Sequence, residues 1–168
     1  MESLRAIWRC WENGEKLDYQ GEHYNFTLMT PEFSPKPNGQ PIVPLSVAAV
    51  GPDMLRMAGR VADGARLHGF CTKKYAEEVC MARIALGLEQ SGRARENLEI
   101  SGGGFLAAGK DEAEVAEKFE TIRYRIGFYG STRTYLPVFA THGLEELGLK
   151  LHKLCLLYTS DAADEQWS

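Results

Sequence analysis

The chain has 168 residues, of which 44% are hydrophobic and 25% are charged, close to the averages for globular domains. This composition excludes a disordered acidic tail, a collagen-like repeat and a low-complexity linker. The formal net charge is −4 and the basic residues are spread along the chain, so we expect no nucleic-acid partner. No apolar run approaches the roughly 20 residues that cross a bilayer, and the first residues lack the apolar region of a signal peptide. We therefore expect a cytoplasmic protein without a membrane partner.

The four cysteines, Cys10, Cys71, Cys80 and Cys155, show no C-x-x-C pair and no histidine at zinc-ligand spacing. Reduced thiols in a reducing compartment are the simplest interpretation. The sequence thus predicts neither a metal site nor a disulfide.

The first third of the chain predicts a helix, a hairpin and a loop. Residues 2–13 have one apolar face and end at Asn13-Gly14, a common helix C-terminus. Residues 17–28 have the turn and aromatic residues of a short hairpin. Residues 30–44 hold five of the seven prolines and are predicted to be a loop.

From residue 45 onward, predicted strands alternate with predicted helices. The predicted strands are 45–50, 65–68 and 98–108. There are three main predicted helices: one begins at Pro52, the second covers 73–90 and the third covers 112–127. Two further helical segments are predicted at 132–140 and 144–153. Asp111 and Glu114 have the spacing of a capping box. This alternation indicates an α/β fold of parallel βαβ units, either an open doubly wound sheet or a (β/α)8 barrel.

Each main helix has an apolar stripe that is predicted to face the sheet. In chain order the stripes are Met54, Met57, Ala58, Val61 and Ala62; then Tyr75, Val79, Ala82 and Leu86; then Val115, Phe119, Ile122 and Ile126.

The end of the first predicted strand is the most informative segment. Small residues precede Gly51, and Pro52 begins the next helix, where its missing N–H costs nothing. A helix N-terminus directs free N–H groups and a positive dipole end at this point, which suits an anion or a cofactor. An ordinary tight turn between a strand and a helix has the same pattern, so the residues alone leave both interpretations open.

The wider segment resembles the luciferase-like monooxygenase superfamily, the bacterial-luciferase-type flavin and deazaflavin (coenzyme F420) oxidoreductases. The matching pattern is a strand ending A-A-x-G-P followed by a helix M-x-x-x-A-G-x-x-A-D-G. Here those positions are Ala48, Ala49, Gly51, Pro52, Met54, Ala58, Gly59, Ala62, Asp63 and Gly64. The segments 19–24, 30–44, 128–135 and 141–143 are also similar to the family.

The resemblance implies a partial (β/α)8 TIM barrel, with cofactor and substrate at the C-terminal ends of the strands. A complete barrel needs about 250 residues, so residues 1–154 are expected to be a second-half portion of a longer parent, in which Met1 is an internal methionine. By itself this portion is expected to be inactive.

The resemblance also implies a set of cofactor-binding residues. The set is Ala48, Ala49, Val50, Gly51, Pro52, His68 and Thr72. His68 is alternatively a histidine satisfied by a nearby carbonyl, and Thr72 is alternatively a helix cap. Glycines 102–104 mark either a ring packed on the backbone or a bulge. Tyr129, Ser131 and Tyr135 either line the substrate side or pack the helix.

The function implied for the parent is hydride transfer with reduced F420, or oxygen activation with FMN, on a small organic substrate. The catalytic residues cannot be named from this sequence. A non-catalytic flavin-binding protein of the same superfamily and an open-sheet phosphate binder are the alternatives. The parent is compatible with a homo-oligomer.

Residues 155–165 are similar to the translation of a transposase adapter used in shotgun sequencing. We therefore expect residues 155–168 to be non-native and disordered, and the natural product to continue past Leu154. A genuine C-terminal peptide with this sequence is the alternative.

Overall fold

The computed structural model describes the backbone of residues 1–165 and the side chains of residues 1–156. The helices are α1 (Glu2–Asn13), α2 (Pro52–Val61), α3 (Lys73–Tyr75), α4 (Met81–Gln90), α5 (Glu112–Gly130), α6 (Leu136–Thr141) and α7 (Glu145–Glu165). The strands are β1 (Tyr19–Gln20), β2 (Asn25–Phe26), β3 (Ser46–Ala49), β4 (Gly64–Leu67) and β5 (Glu99–Ser101). Within the described residues, no helix is both long and apolar enough to cross a membrane.

The predicted order of elements is confirmed. Helix α1 ends where Gly14 adopts φ 67°, a left-handed conformation that glycine takes without strain. Strands β1 and β2 pair as an antiparallel hairpin, and β3, β4 and β5 form a parallel sheet in that order. The α/β prediction therefore holds. Strand β5 ends at Ser101 and is therefore shorter than the predicted strand 98–108.

Side chains alternate between the two faces of the parallel sheet. The core face carries the buried Ala49 and Ala65, and the helices pack on it. The opposite face, which we call the open face, carries Ala48, Arg66 and Ser101 as direct cross-strand neighbours, and all three are exposed. The sheet thus has one covered face and one face available to other groups.

Helix α2 buries Ala58 and Ala62 of the predicted stripe, together with Leu55, which lies outside it. Leu55 is 0% exposed and Ala58 and Ala62 are buried with it, whereas Met54 is 44% exposed. Both stripes satisfy helical periodicity, so only the packing of α2 on the sheet and on α4 decides between them.

The helical segment 73–90 contains a π-helical turn, Ala76–Cys80, between α3 and α4. The extra residue of this turn shifts the buried positions. The buried residues are Tyr75, Cys80 and Ile84, which do not follow the regular α-helical spacing of three or four residues. Of the predicted stripe, Tyr75 is buried and Val79 packs partly buried against the core, whereas Ala82 is exposed.

Helix α5 begins as predicted but leaves its apolar stripe uncovered. The Asp111 carboxylate accepts the N–H of Glu114 at 2.9 Å, which confirms the cap. The Glu114 carboxylate accepts the N–H of Lys110 instead of closing a reciprocal box. Phe119 is 57% exposed and Ile126 is 42% exposed, so this stripe does not face the sheet as expected.

Helix α7 ends at Glu165, within the C-terminal tail. The disorder expected after Leu154 stays a prediction. Residues 166–168 lie outside the described residues. The adapter origin of the tail and the domain boundary at Leu154 stay predictions.

Candidate functional site

An open cleft of about 750 Å³ lies over the open face and the C-terminal ends of the parallel strands. Its lining residues come from β3, β4, β5 and the segments that follow them: Ala48, Ala49, Val50, Arg66, Leu67, His68, Gly69, Glu99, Ser101, Gly102, Gly103, Gly104, Phe105 and Tyr135. Four of the seven predicted cofactor-binding residues, Ala48, Ala49, Val50 and His68, thus come together in one place. Gly51 and Pro52 follow directly at the start of α2, and Thr72 lies in a neighbouring pocket.

The start of α2 is open to an anion. Gly51 is the N-cap with extended backbone, and no side chain among the described residues caps the first turn. Pro52 has no N–H, so the N–H groups of residues 53 and 54 are the unsatisfied donors. Asp53 forms an exposed ion pair with Arg56 at 3.2 Å. This geometry leaves the donors free for a phosphate or carboxylate.

The hydroxyl of Tyr75 supports the end of β3. It donates a hydrogen bond to the carbonyl oxygen of Val50 at 2.9 Å, although the two residues lie 25 positions apart. Sequence reasoning assigned Tyr75 to a helix stripe and missed this role. A buried tyrosine needs a partner for its hydroxyl, and that requirement was the available signal.

His68 has a defined tautomer. Its Nδ1 accepts the backbone N–H of Phe70 at 3.1 Å, so the neutral ring carries its proton on Nε2. The ring packs edge-on against Tyr129, with ring centres 4.5 Å apart, and against Tyr135 at 5.1 Å. Within residues 1–156 no protein group bonds to Nε2, so this N–H is a donor available to a ligand. The alternative interpretation held that a nearby carbonyl satisfies His68. Within residues 1–156, a backbone N–H satisfies the acceptor Nδ1 instead.

Gly103 and Gly104 provide empty space beside the cleft. A Cβ built on either residue meets no atom within 4 Å, and neither residue has positive φ. Neither internal packing nor backbone conformation therefore requires glycine at these positions. Both follow β5 rather than bulging within it. A flat ring can approach this backbone closely because no side chain intervenes.

Arg66 and Phe105 were also missed as cleft residues. Arg66 stands between the buried Ala65 and the half-buried Leu67, and this single polar residue inside a short strand was a signal of the open face. The ring of Phe105 stacks on Tyr129, with centres 6.0 Å apart. Nothing in the sequence pattern indicated that contact.

Thr72 caps α3, as one of its two interpretations predicts. Its hydroxyl oxygen accepts the N–H of Tyr75 at 3.2 Å and lies 2.8 Å from Nε2 of His142. A cofactor-binding role for Thr72 stays a prediction.

Two of the cysteines, Cys71 and Cys80, form a close pair of thiols. Cys71 and Cys80 lie with their sulfurs 3.7 Å apart. Burial, together with the neighbouring Cys71, raises the pKa of Cys80 to about 12, and burial also raises the pKa of Cys71. Both are therefore neutral thiols near pH 7. In the described part of the chain, no group of three or more His, Cys, Asp or Glu side chains is arranged to hold a metal ion.

Comparison with known proteins identifies relatives that are considerably longer. An uncharacterized protein of Mycobacterium tuberculosis is 42% identical over 155 residues, covering 92% of this chain and 46% of that protein. An F420-dependent glucose-6-phosphate dehydrogenase of Kineococcus radiotolerans is 31% identical over 116 residues, covering 69% of this chain and 33% of the enzyme. The chain thus spans less than half the length of these relatives.

A solved structure shares the fold. The coenzyme F420 dependent tetrahydromethanopterin reductase from Methanopyrus kandleri superposes with a TM-score of 0.62 at 18% identity. The match covers 86% of this chain and 40% of that one. The sheet and its helices are therefore part of a (β/α)8 barrel, which confirms the fold class and excludes the open doubly wound sheet.

The family model of the luciferase-like monooxygenases matches residues 1–153, nearly all of the chain that carries the sheet and the cleft. The chain belongs to the luciferase-like monooxygenase family.

Proposed function

We propose that the protein is part of an F420-dependent oxidoreductase, and that the cleft over β3, β4 and β5 is the part of the cofactor site that this chain contributes. The observation that carries the proposal is the empty space at Gly103 and Gly104, for which neither packing nor backbone conformation gives a reason. Membership of the family and the F420 dependence of named relatives support it.

The residues of the cleft suit a flat ring that bears a phosphate group. Gly103 and Gly104 let the ring reach the backbone, and the free N–H groups at the start of α2 donate hydrogen bonds to the phosphate oxygens. The Nε2–H of His68 is a donor for a carbonyl oxygen. Arg66 places a positive charge on the same face.

F420 supplies hydride chemistry when it is bound, and the protein positions it and its substrate. The small organic substrate is held beside the cleft, and Tyr75 keeps the end of β3 in place through Val50. FMN has a similar ring and a phosphate, so these residues fit it as well. The choice of F420 over FMN rests on the relatives alone.

The test measures cofactor binding by the full-length protein, with the residue numbers of this chain. Gly103→Leu and Gly104→Leu fill the empty space, so we expect each to weaken F420 binding by at least about tenfold, a loss near 1.4 kcal/mol. Gly127→Leu is the matched control, because a Cβ there also meets no atom within 4 Å but the residue lies on α5, outside the cleft lining.

Four results of this titration and of a turnover assay are informative. Tighter binding of FMN than of F420 would replace the cofactor in the proposal. Binding of neither cofactor, or equal binding by all three glycine variants, would overturn the proposal. Binding without turnover across a substrate panel would favour the alternative of a non-catalytic flavin-binding protein.

A further inference from the structure

A second cavity, the side pocket, lies next to the cleft and has a volume of about 360 Å³. Its walls are apolar and come from the segments after β4 and β5, from α5, from α6 and from the turn between α6 and α7. The principal wall residues are Phe70, Phe105, Ile126, Val138, Phe139 and Leu144. This size and this character are typical of pockets that bind small molecules.

The side pocket has one polar end. Thr72 and His142 both line it, and the Thr72 hydroxyl oxygen lies 2.8 Å from Nε2 of His142. Within residues 1–156 no group bonds to Nδ1 of His142. A threonine hydroxyl and an imidazole can each donate or accept, so this pair can meet either a hydroxyl or a carbonyl group.

Among the side chains of residues 1–156, none that lines the side pocket belongs to Asp, Glu, Lys or Arg. The nearby Lys74 is engaged elsewhere, since its ammonium group donates to the carbonyl oxygen of Thr141 at 2.7 Å. Cys71 lines the pocket as a neutral thiol, because burial raises its pKa. A phosphate, carboxylate or ammonium group would lose its hydration here without gaining a partner of opposite charge.

The side pocket adjoins the cleft. Gly69, Gly104 and Phe105 border both cavities. A Cβ on Gly69 would lie 3.5 Å from the Phe105 ring, so this ring stands at the junction. A molecule in the side pocket therefore lies beside whatever occupies the cleft.

From these four observations we infer that the side pocket is the substrate subsite and selects an uncharged organic molecule. The apolar body of the molecule packs against Phe70, Phe139 and Leu144, and its one hydroxyl or carbonyl group bonds to the Thr72–His142 pair. That the bound molecule is a substrate rests on the proposed function. The binding site itself is defined by the pocket alone.

The test uses two probes of equal aromatic body, 2-naphthol and 2-naphthyl phosphate, titrated calorimetrically into the parent protein without cofactor. We expect 2-naphthol to bind at least about tenfold more tightly than the phosphate. Leu144→Trp fills the pocket and is expected to bind 2-naphthol about tenfold more weakly than the unsubstituted protein does. Leu147→Trp is the matched control, because Leu147 is 45% exposed, close to the 46% of Leu144, and does not line the pocket.

A second variant tests the polar end. His142→Phe removes the imidazole but leaves Thr72 as the cap of α3, so the fold is retained. We expect it to weaken 2-naphthol binding and to leave the binding of naphthalene, which has no hydroxyl, unchanged. Circular dichroism melting of each variant confirms that it is folded.

Equal or tighter binding of the phosphate, or equal 2-naphthol binding by Leu144→Trp and Leu147→Trp, would overturn the inference. F420 binding is measured separately on the same samples and is expected to survive Leu144→Trp. If 2-naphthol follows the expected pattern while F420 and FMN both fail to bind, the side pocket stands and the proposed function falls.

Discussion

Asp63 connects the three parallel strands at the edge opposite the cleft. Its carboxylate accepts the N–H of Leu45 at 2.8 Å and pairs with Arg5 of α1 at 2.7 Å. Its backbone N–H donates to the carbonyl oxygen of Leu45, and its own carbonyl accepts the N–H of Glu99. This member of the family motif therefore stabilises the fold and does not line the cleft.

Replacing Asp63 by Asn is expected to lower the free energy of unfolding at pH 7 by about 1–2 kcal/mol, a modest value because the side chain is 33% exposed. Burial opposes its charge, but the Leu45 N–H and the Arg5 guanidinium together hold the pKa of Asp63 below the ordinary 3.8. Its contribution is thus present above pH 3.8 and is lost as the pH falls through the folded pKa.

Urea unfolding at pH 7 and pH 3 checks this expectation in the parent protein. Asp53→Asn is the control, because Asp53 is an exposed carboxylate in a surface pair with Arg56. The difference between wild type and Asp63→Asn should shrink at pH 3. A difference that is equal at both pH values, or equal to that of the control, would contradict the assigned role.

At the scale of elements, α2 and α4 pack together through two glycines. A Cβ on Gly59 would overlap the carbonyl oxygen of Ile84, and a Cβ on Gly87 would overlap that of Arg56. Backbone atoms on both sides are held in helices and cannot move aside cheaply. Close helix packing thus explains Gly59, the glycine of the family motif in α2.

Gly87→Ala is therefore expected to destabilise the protein by about 1–3 kcal/mol, as overpacking does in other cores. Gly127→Ala in α5 is the matched control, since its Cβ meets nothing within 4 Å, and it should be neutral or stabilising by up to about 1 kcal/mol. Chemical unfolding followed by circular dichroism measures both. A Gly87→Ala variant as stable as the control would show that the two helices can separate without cost.

At the scale of the whole molecule, a large apolar surface is left uncovered within residues 1–156. Phe119 is 57% exposed, Phe128 is 60% exposed and Leu106 is 82% exposed, and β3 and β5 each have one strand edge without a partner. Exposed apolar patches and free strand edges are both sites of association.

We expect the 168-residue chain, expressed alone, to associate as its concentration rises and to lack a cooperative monomeric unfolding transition. Size-exclusion chromatography with light scattering over a concentration series measures this association. Phe119→Lys should reduce association through α5, whereas Lys118→Arg, a charge-conserving neighbour, should not. A monomer at high concentration that unfolds cooperatively would contradict the prediction.

The sequence by itself determined the kind and order of the elements. The end of α1 at Gly14, the start of α2 at Pro52 and the cap of α5 at Asp111 are local chemistry, readable within a few residues. The parallel sheet followed from the alternation of strands and helices, and the family from one motif. The sequence did not show which residues of that motif stabilise the fold. Gly59 and Asp63 do so, whereas the segment at Gly51 was assigned to the cofactor.

Only the tertiary structure decided which faces are buried and which distant residues meet. The π-helical turn shifted the buried positions after Tyr75, and packing selected Leu55 over Met54. Tyr75 and Val50 are 25 positions apart, and Thr72 and His142 are 70 apart. The physical reason is that hydrophobic periodicity records the structure of one element at a time. Contacts between elements depend on how their surfaces pack, which no single segment encodes.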